Sequence, residues 1–110
     1  MFEMHTINGE NCPVLVCDMC GDQLKDAGKS AVVFDNFAPQ GSKLKALHVH
    51  KGTIDGMTCH QEADSMIRAG GGTPGWVEMK AGLVDLAHNA GFPPAEMVKY
   101  DKTRSDPFAG

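Results

Sequence analysis

Long apolar runs are missing from this 110-residue sequence. The two longest, "PVLV" at 13–16 and "AVVF" at 31–34, fall far short of the ~20 residues of a bilayer-crossing helix, so no membrane span is expected. The opening "MFEMHTINGE" has neither a basic n-region nor an apolar h-region. No secretory signal is therefore expected, and the expected compartment is the cytoplasm. Aromatic residues are scarce: one Trp, one Tyr and five Phe stand against thirteen Gly. Such a composition implies a lean core with many turns, which a bound metal would help to hold. Positive charge is also in deficit, with 10 Lys and Arg against 14 Asp and Glu. A net charge of −4 gives no general attraction to nucleic acid or to anionic membranes. The one locally basic stretch, "KLKALHVHK" at 43–51, reads as a solvated strand face.

What is present suggests a single domain over residues 1–100 with a polar C-terminal tail at 101–110. Residues 1–7 have strand character, and Asn8-Gly9 is a strong hairpin-turn signal. "PVLV" reads as the returning strand, with Pro13 at its start, where a missing N–H is tolerated. "SAVVFDNF" is β-branched and aromatic, hence another strand. In "KALHVHK" the alternation sets Leu47 and Val49 on one face and His48 and His50 on the other.

The second half changes period. Thr58-x-x-Gln61 is a capping box that predicts a helix with Thr58 as N-cap, and Cys59, Ala63, Met66 and Ile67 share one helical face. The glycines at 70–72 end it. Thr73 as N-cap with Pro74 in the first helical position then predicts a second helix. Its stripe of Trp76, Met79, Leu83, Leu86, Ala87 and Ala90 reads as core packing, stopped by Gly91. "FPPAEMVKY" is expected to add one short helical turn. The expected fold is α+β: a small antiparallel sheet carrying a metal knuckle, followed by two packed helices.

The four cysteines carry the chemistry. Cys17 and Cys20 are separated by two residues and followed by Gly21. Haem-c attachment needs histidine where Gly21 stands, and the zinc deaminase signature needs proline where Val16 stands. Two cysteines so spaced can turn both sulfurs toward one ion, and a glycine after them accepts the positive φ of the tight turn. Cys12 lies five residues before Cys17 along a strand, too far to join it and better suited to a small buried position. Cys59 sits in the first turn of a helix on its inward face, where free amides favour a thiolate. His48 and His50 are both eligible as the fourth ligand, and His50, at the strand end before the turn "KGTIDG", is preferred. The expected metal ligands are Cys17, Cys20, His50 and Cys59, a closed three-cysteine, one-histidine set suited to structural Zn2+.

"CDMCG" resembles the cysteine knuckles of zinc-ribbon and rubredoxin-like proteins. The resemblance implies zinc and a β-hairpin knuckle. In the usual ribbon a second knuckle supplies the other two ligands, whereas here His50 and Cys59 stand eight residues apart. The reading that follows is a non-enzymatic zinc-binding domain acting through a protein partner or as a homo-oligomer. Two alternatives are a thiol-redox or metal-handling protein, with Cys17 attacking and Cys20 resolving, and a nucleic-acid-binding ribbon, which the charge disfavours. A catalytic zinc would require an acid such as Glu62, which is otherwise a solvated helix residue.

Overall fold

The computed structural model describes residues 1–52 and 58–105. Part of the expected turn "KGTIDG" and the last five residues of the polar tail lie outside them. The fold is α+β, with small antiparallel sheets and three α-helices among the described residues. The chain divides into two compact units, Met1–Met79 and Lys80–Gly110.

The first unit opens with a hairpin of β1 (Phe2–Ile7) and β2 (Glu10–Leu15), paired in register from Phe2↔Leu15 to Ile7↔Glu10. Asn8 and Gly9 both have positive φ, 53° and 80°, as a two-residue turn matching the twist of the strands requires. The returning strand begins at Glu10, so Pro13 falls within it, tolerated because a two-stranded ribbon has only edges.

A separate three-stranded sheet has the order β4-β3-β5, all antiparallel, with β3 (Ser30–Asp35) central and β4 (Leu47–His50) at one side. Helix α1 (Cys59–Ala69) begins after Thr58, as the capping pattern requires, although the Thr58 side chain makes no cap hydrogen bond. It packs on all three strands through Cys59 and Ala63, while Met66 is exposed.

The third strand corrects the sequence reading. Residues Pro74–Glu78 form β5, not the first turn of a second helix. Thr73 bonds the end of β3 instead of capping: its N–H donates to Asp35 Oδ1 at 3.1 Å, and its carbonyl accepts from Asn36 N–H at 2.7 Å. Pairing from Ala31↔Glu78 to Asp35↔Pro74 fills the open side of β3, a tertiary gain that outweighs the local helix-start signal. A side chain at position 75 would strike Asn36 at 2.8 Å, so Gly75 is what lets this strand lie close.

The core of this unit joins Ala31 and Val33 of β3, Leu47 and Val49 of β4, Ala63 of α1 and Met79, and it includes Cys17 and Cys59. Val33 and Val49 are fully buried, each burial favouring the fold by roughly 1.5–3 kcal/mol.

Helix α2 (Met79–Asn89) starts five residues later than the sequence suggests and crosses the boundary between the units. Helix α3 (Pro94–Ser105) is a full three turns, where one short turn and a polar tail were expected. A T-shaped contact between Phe92 and Tyr100, centroids 5.9 Å apart, ties its middle to the preceding loop. The expected core stripe is only partly buried. Met79 and Ala87 are enclosed, but Trp76, Leu83 and Leu86 are exposed.

Candidate metal centre

The knuckle is built by a short chain reversal after β2. Val16 forms an isolated bridge with Gln23, and inside it Cys17 N–H donates to the Asp22 carbonyl at 2.8 Å. Gly21 N–H closes the turn onto the Cys17 carbonyl at 3.0 Å, and Gly21 has φ 82°, the left-handed conformation that glycine adopts without strain.

Asp18, between the two cysteines, fastens this turn to β4. Its N–H donates to the His48 carbonyl at 2.8 Å, and its Oδ2 accepts from His48 N–H at 2.7 Å. The same oxygen lies 3.2 Å from His48 Nδ1. Burial pushes the Asp18 carboxyl up, but these bonds from the His48 backbone and ring, together with the Met1 ammonium 3.4 Å from Oδ2, outweigh it and hold the group below its ordinary value. His48 is thereby engaged by a carboxylate. His50, two residues on and on the same face of the strand, is directed to the knuckle instead, with Nδ1 3.4 Å from Cys20 Sγ.

Cys59 enters from the first turn of α1. The ligand atoms of Cys17, Cys20, His50 and Cys59 all lie within 4.8 Å of one another, and this is a cluster that could hold a metal ion. Cys17 is 2% exposed and Cys59 1%, so two of the sulfurs are core groups. Tetrahedral bonds of about 2.3 Å to sulfur and 2.0–2.1 Å to nitrogen place neighbouring donors roughly 3.5–3.8 Å apart, so modest closure of the four atoms would accommodate one ion.

The electrostatics of the thiols differ by environment. Burial raises Cys17, but the backbone N–H groups of Cys20, His50 and Met19 overcome it and lower the thiol to about 7. Cys20 N–H lies 3.5 Å from Cys17 Sγ. Burial pushes the Cys59 thiol up to about 12, helped by the neighbouring Cys17 and Cys20 sulfurs, and Cys20 is also raised, chiefly by burial. Three sulfurs crowded in this way cannot all carry charge without a cation among them.

Cys12 stands apart on β2, opposite His5. It is half-buried and not the enclosed small hydrophobe that the sequence suggested, because the two-stranded hairpin covers only one side of it. Glu62 is exposed on α1 and outside the cluster. The chain matches no protein-family model, no curated protein and no solved structure. The cluster is compatible with the zinc-knuckle resemblance, and its chemistry alone carries the functional reading.

Sequence reasoning missed the second layer of support. Trp76 of β5 stands with its ring 5.2 Å from that of His60 and 5.8 Å from Lys51 Nζ. Lys51 and His60 directly follow His50 and Cys59, so one indole touches both segments that bring these side chains to the cluster. Lys51 also pairs with Glu78, Nζ to Oε1 2.6 Å. The signal was hidden because Trp76 reads as part of a helical stripe until β5 is recognised as a strand.

Proposed function

We propose that this chain is a small zinc-binding domain whose metal is structural, held by Cys17, Cys20, His50 and Cys59, and that it acts through a protein partner and not by catalysis. The observation that carries the reading is the convergence of three sulfurs and one imidazole nitrogen from three separate segments within 4.8 Å. Soft thiolates with one imidazole suit zinc, and four protein donors form a closed set that leaves no position for substrate or water. The N–H groups aimed at Cys17 support a coordinated thiolate. All four cysteines are free, in keeping with a reducing compartment such as the cytoplasm.

Elemental analysis of purified protein tests this directly. The expected ratio is about one zinc per chain; a fully folded, metal-free protein from zinc-replete cells refutes it. A thiol-redox reading is favoured by one feature, the lowered Cys17 thiol beside Cys20. It requires those two thiols to cycle through a disulfide, with Cys59 left out of the chemistry.

A further inference from the structure

A cavity of about 210 Å³ adjoins the metal centre, lined by Gln23, Lys25, Asp26, Lys29, Ser30 and His50. Ser30 opens β3 and pairs with His50 at the end of β4, so the sheet register fixes this side of the wall. The Ser30 hydroxyl donates to the Asp26 carbonyl at 2.7 Å, and Asp26 Oδ1 accepts from Gly28 N–H at 2.8 Å. The lysines have no such engagement: the ammonium groups of Lys25 and Lys29 pair with no carboxylate among the described residues. Two unpaired cations beside one small cavity stand out in a chain of net charge −4. His50 belongs to both the cavity and the cluster. Its Nδ1 lies 3.4 Å from Cys20 Sγ, while its Nε2 has no hydrogen-bond partner among the described residues. A histidine that binds a metal through one ring nitrogen ordinarily donates its other N–H to a carboxylate or a similar acceptor.

We propose that this cavity binds a small oxyanion, inorganic phosphate or a short dicarboxylate, held by the ammonium groups of Lys25 and Lys29 and by the N–H at His50 Nε2. The size fits: drug-sized ligands occupy roughly 300–1,000 Å³, and this smaller space suits an ion of a few heavy atoms with some water, not a nucleotide. The charges divide the work. A divalent ion with three thiolates carries one net negative charge, so the attraction comes from the two lysines and not from the metal. Lysine acts there as a point charge, and the imidazole N–H supplies direction. The lysine contacts are independent of the metal; the part given to His50 rests on the zinc reading, since a metal on Nδ1 leaves the ring proton on Nε2. The bound anion then supplies the acceptor that Nε2 lacks.

Titration of the full zinc-loaded chain with inorganic phosphate, and separately with succinate, tests this by nitrogen–proton NMR at constant ionic strength set with chloride. At least one of the two should give saturable shifts at the amides of residues 23–30 and 50, with a dissociation constant of about 1 mM or below. The tighter of the two identifies the class of oxyanion. Lys25→Ala and Lys29→Ala, both at exposed positions, should each weaken binding at least ~10-fold, as loss of a charge-assisted contact does. Lys45→Ala, outside the cavity wall, should leave it unchanged. The His50 Nε2 resonance should move as the anion binds, a signature that lysines alone would not produce. Absence of saturable shifts with both probes overturns the proposal, as does binding indifferent to Lys25→Ala and Lys29→Ala or equally weakened by Lys45→Ala. A His50 Nε2 that stays still while the anion binds refutes the assigned contact. The same ring resonances report whether Nδ1 holds a metal: lysine-dependent binding with Nδ1 free of metal upholds the anion site and refutes the zinc reading instead.

Discussion

Replacing Cys59 by serine should be the most damaging single change to the metal centre. The side chain is 1% exposed and opens α1 against the core. Serine keeps the shape but replaces a soft sulfur donor by a hydroxyl that binds zinc poorly. Two losses add. A buried hydroxyl left without a partner costs about 1–3 kcal/mol. At free zinc near 1,000 times the dissociation constant the bound metal contributes about 4 kcal/mol, and a 100-fold loss of affinity removes about 2.7 of it. The sum, about 4–6 kcal/mol, compares with a total of roughly 4–12 kcal/mol for a unit the size of Met1–Met79. The melting temperature should fall by about 20–40 °C, followed by far-UV circular dichroism in zinc-supplemented buffer. Cys12→Ser, on the half-exposed hairpin, should shift stability by no more than about 0.5 kcal/mol. Chelator should lower the melting temperature of wild-type protein steeply and that of Cys59→Ser only slightly, since most of the metal's contribution is already gone. Equal large chelator effects in both, or a near-normal Cys59→Ser beside a damaged Cys12→Ser, would refute the ligand assignment.

Asp18→Ala removes the acceptor for His48 N–H and one fastening of the knuckle to β4, so zinc affinity measured by chelator competition should drop ~10–100-fold; an unchanged affinity would show that the fastening is dispensable. Zinc binding at pH 7 should release about 2.5 protons from the thiols, because Cys59 and Cys20 are protonated there and Cys17, at about 7, is half so. Lower pH therefore weakens binding, and the release is read by buffer-dependent calorimetry; a value near zero contradicts thiolate coordination. In the zinc-loaded protein Cys17, Cys20 and Cys59 should alkylate slowly and become reactive together on chelation, with each site followed by mass spectrometry. Rapid labelling of Cys17 alone in untreated protein would favour the redox reading.

The legible parts of the sequence were those decided locally. Asn8-Gly9 specifies its turn by backbone conformation, and Gly21 specifies the knuckle in the same way. The alternation in "LHVH" settles which residues of β4 face the core. Thr58 marks the start of α1. What escaped was decided at a distance. Thr73-Pro74 carries a valid helix-start signal, but the open side of β3 claims residues 74–78 as a strand. Asp18 is one acid among fourteen Asp and Glu until His48 is seen beside it. The stripe on α2 has the right period for burial, yet periodicity states only that a face needs covering and is silent on what covers it.

The fastening of the knuckle to β4 has a further consequence, for aggregation. β4 is a terminal strand of its sheet, and the groups on its outer side would otherwise be free to pair with a strand of another molecule. The His48 carbonyl and N–H are both taken by Asp18, and the His50 N–H is directed to the Cys17 sulfur. The turn that carries Cys17 and Cys20 thus also works as a guard on a sheet edge. Loosening of that turn would uncover the edge of a short strand, Leu47–His50, so weakening it should be seen as self-association through that edge.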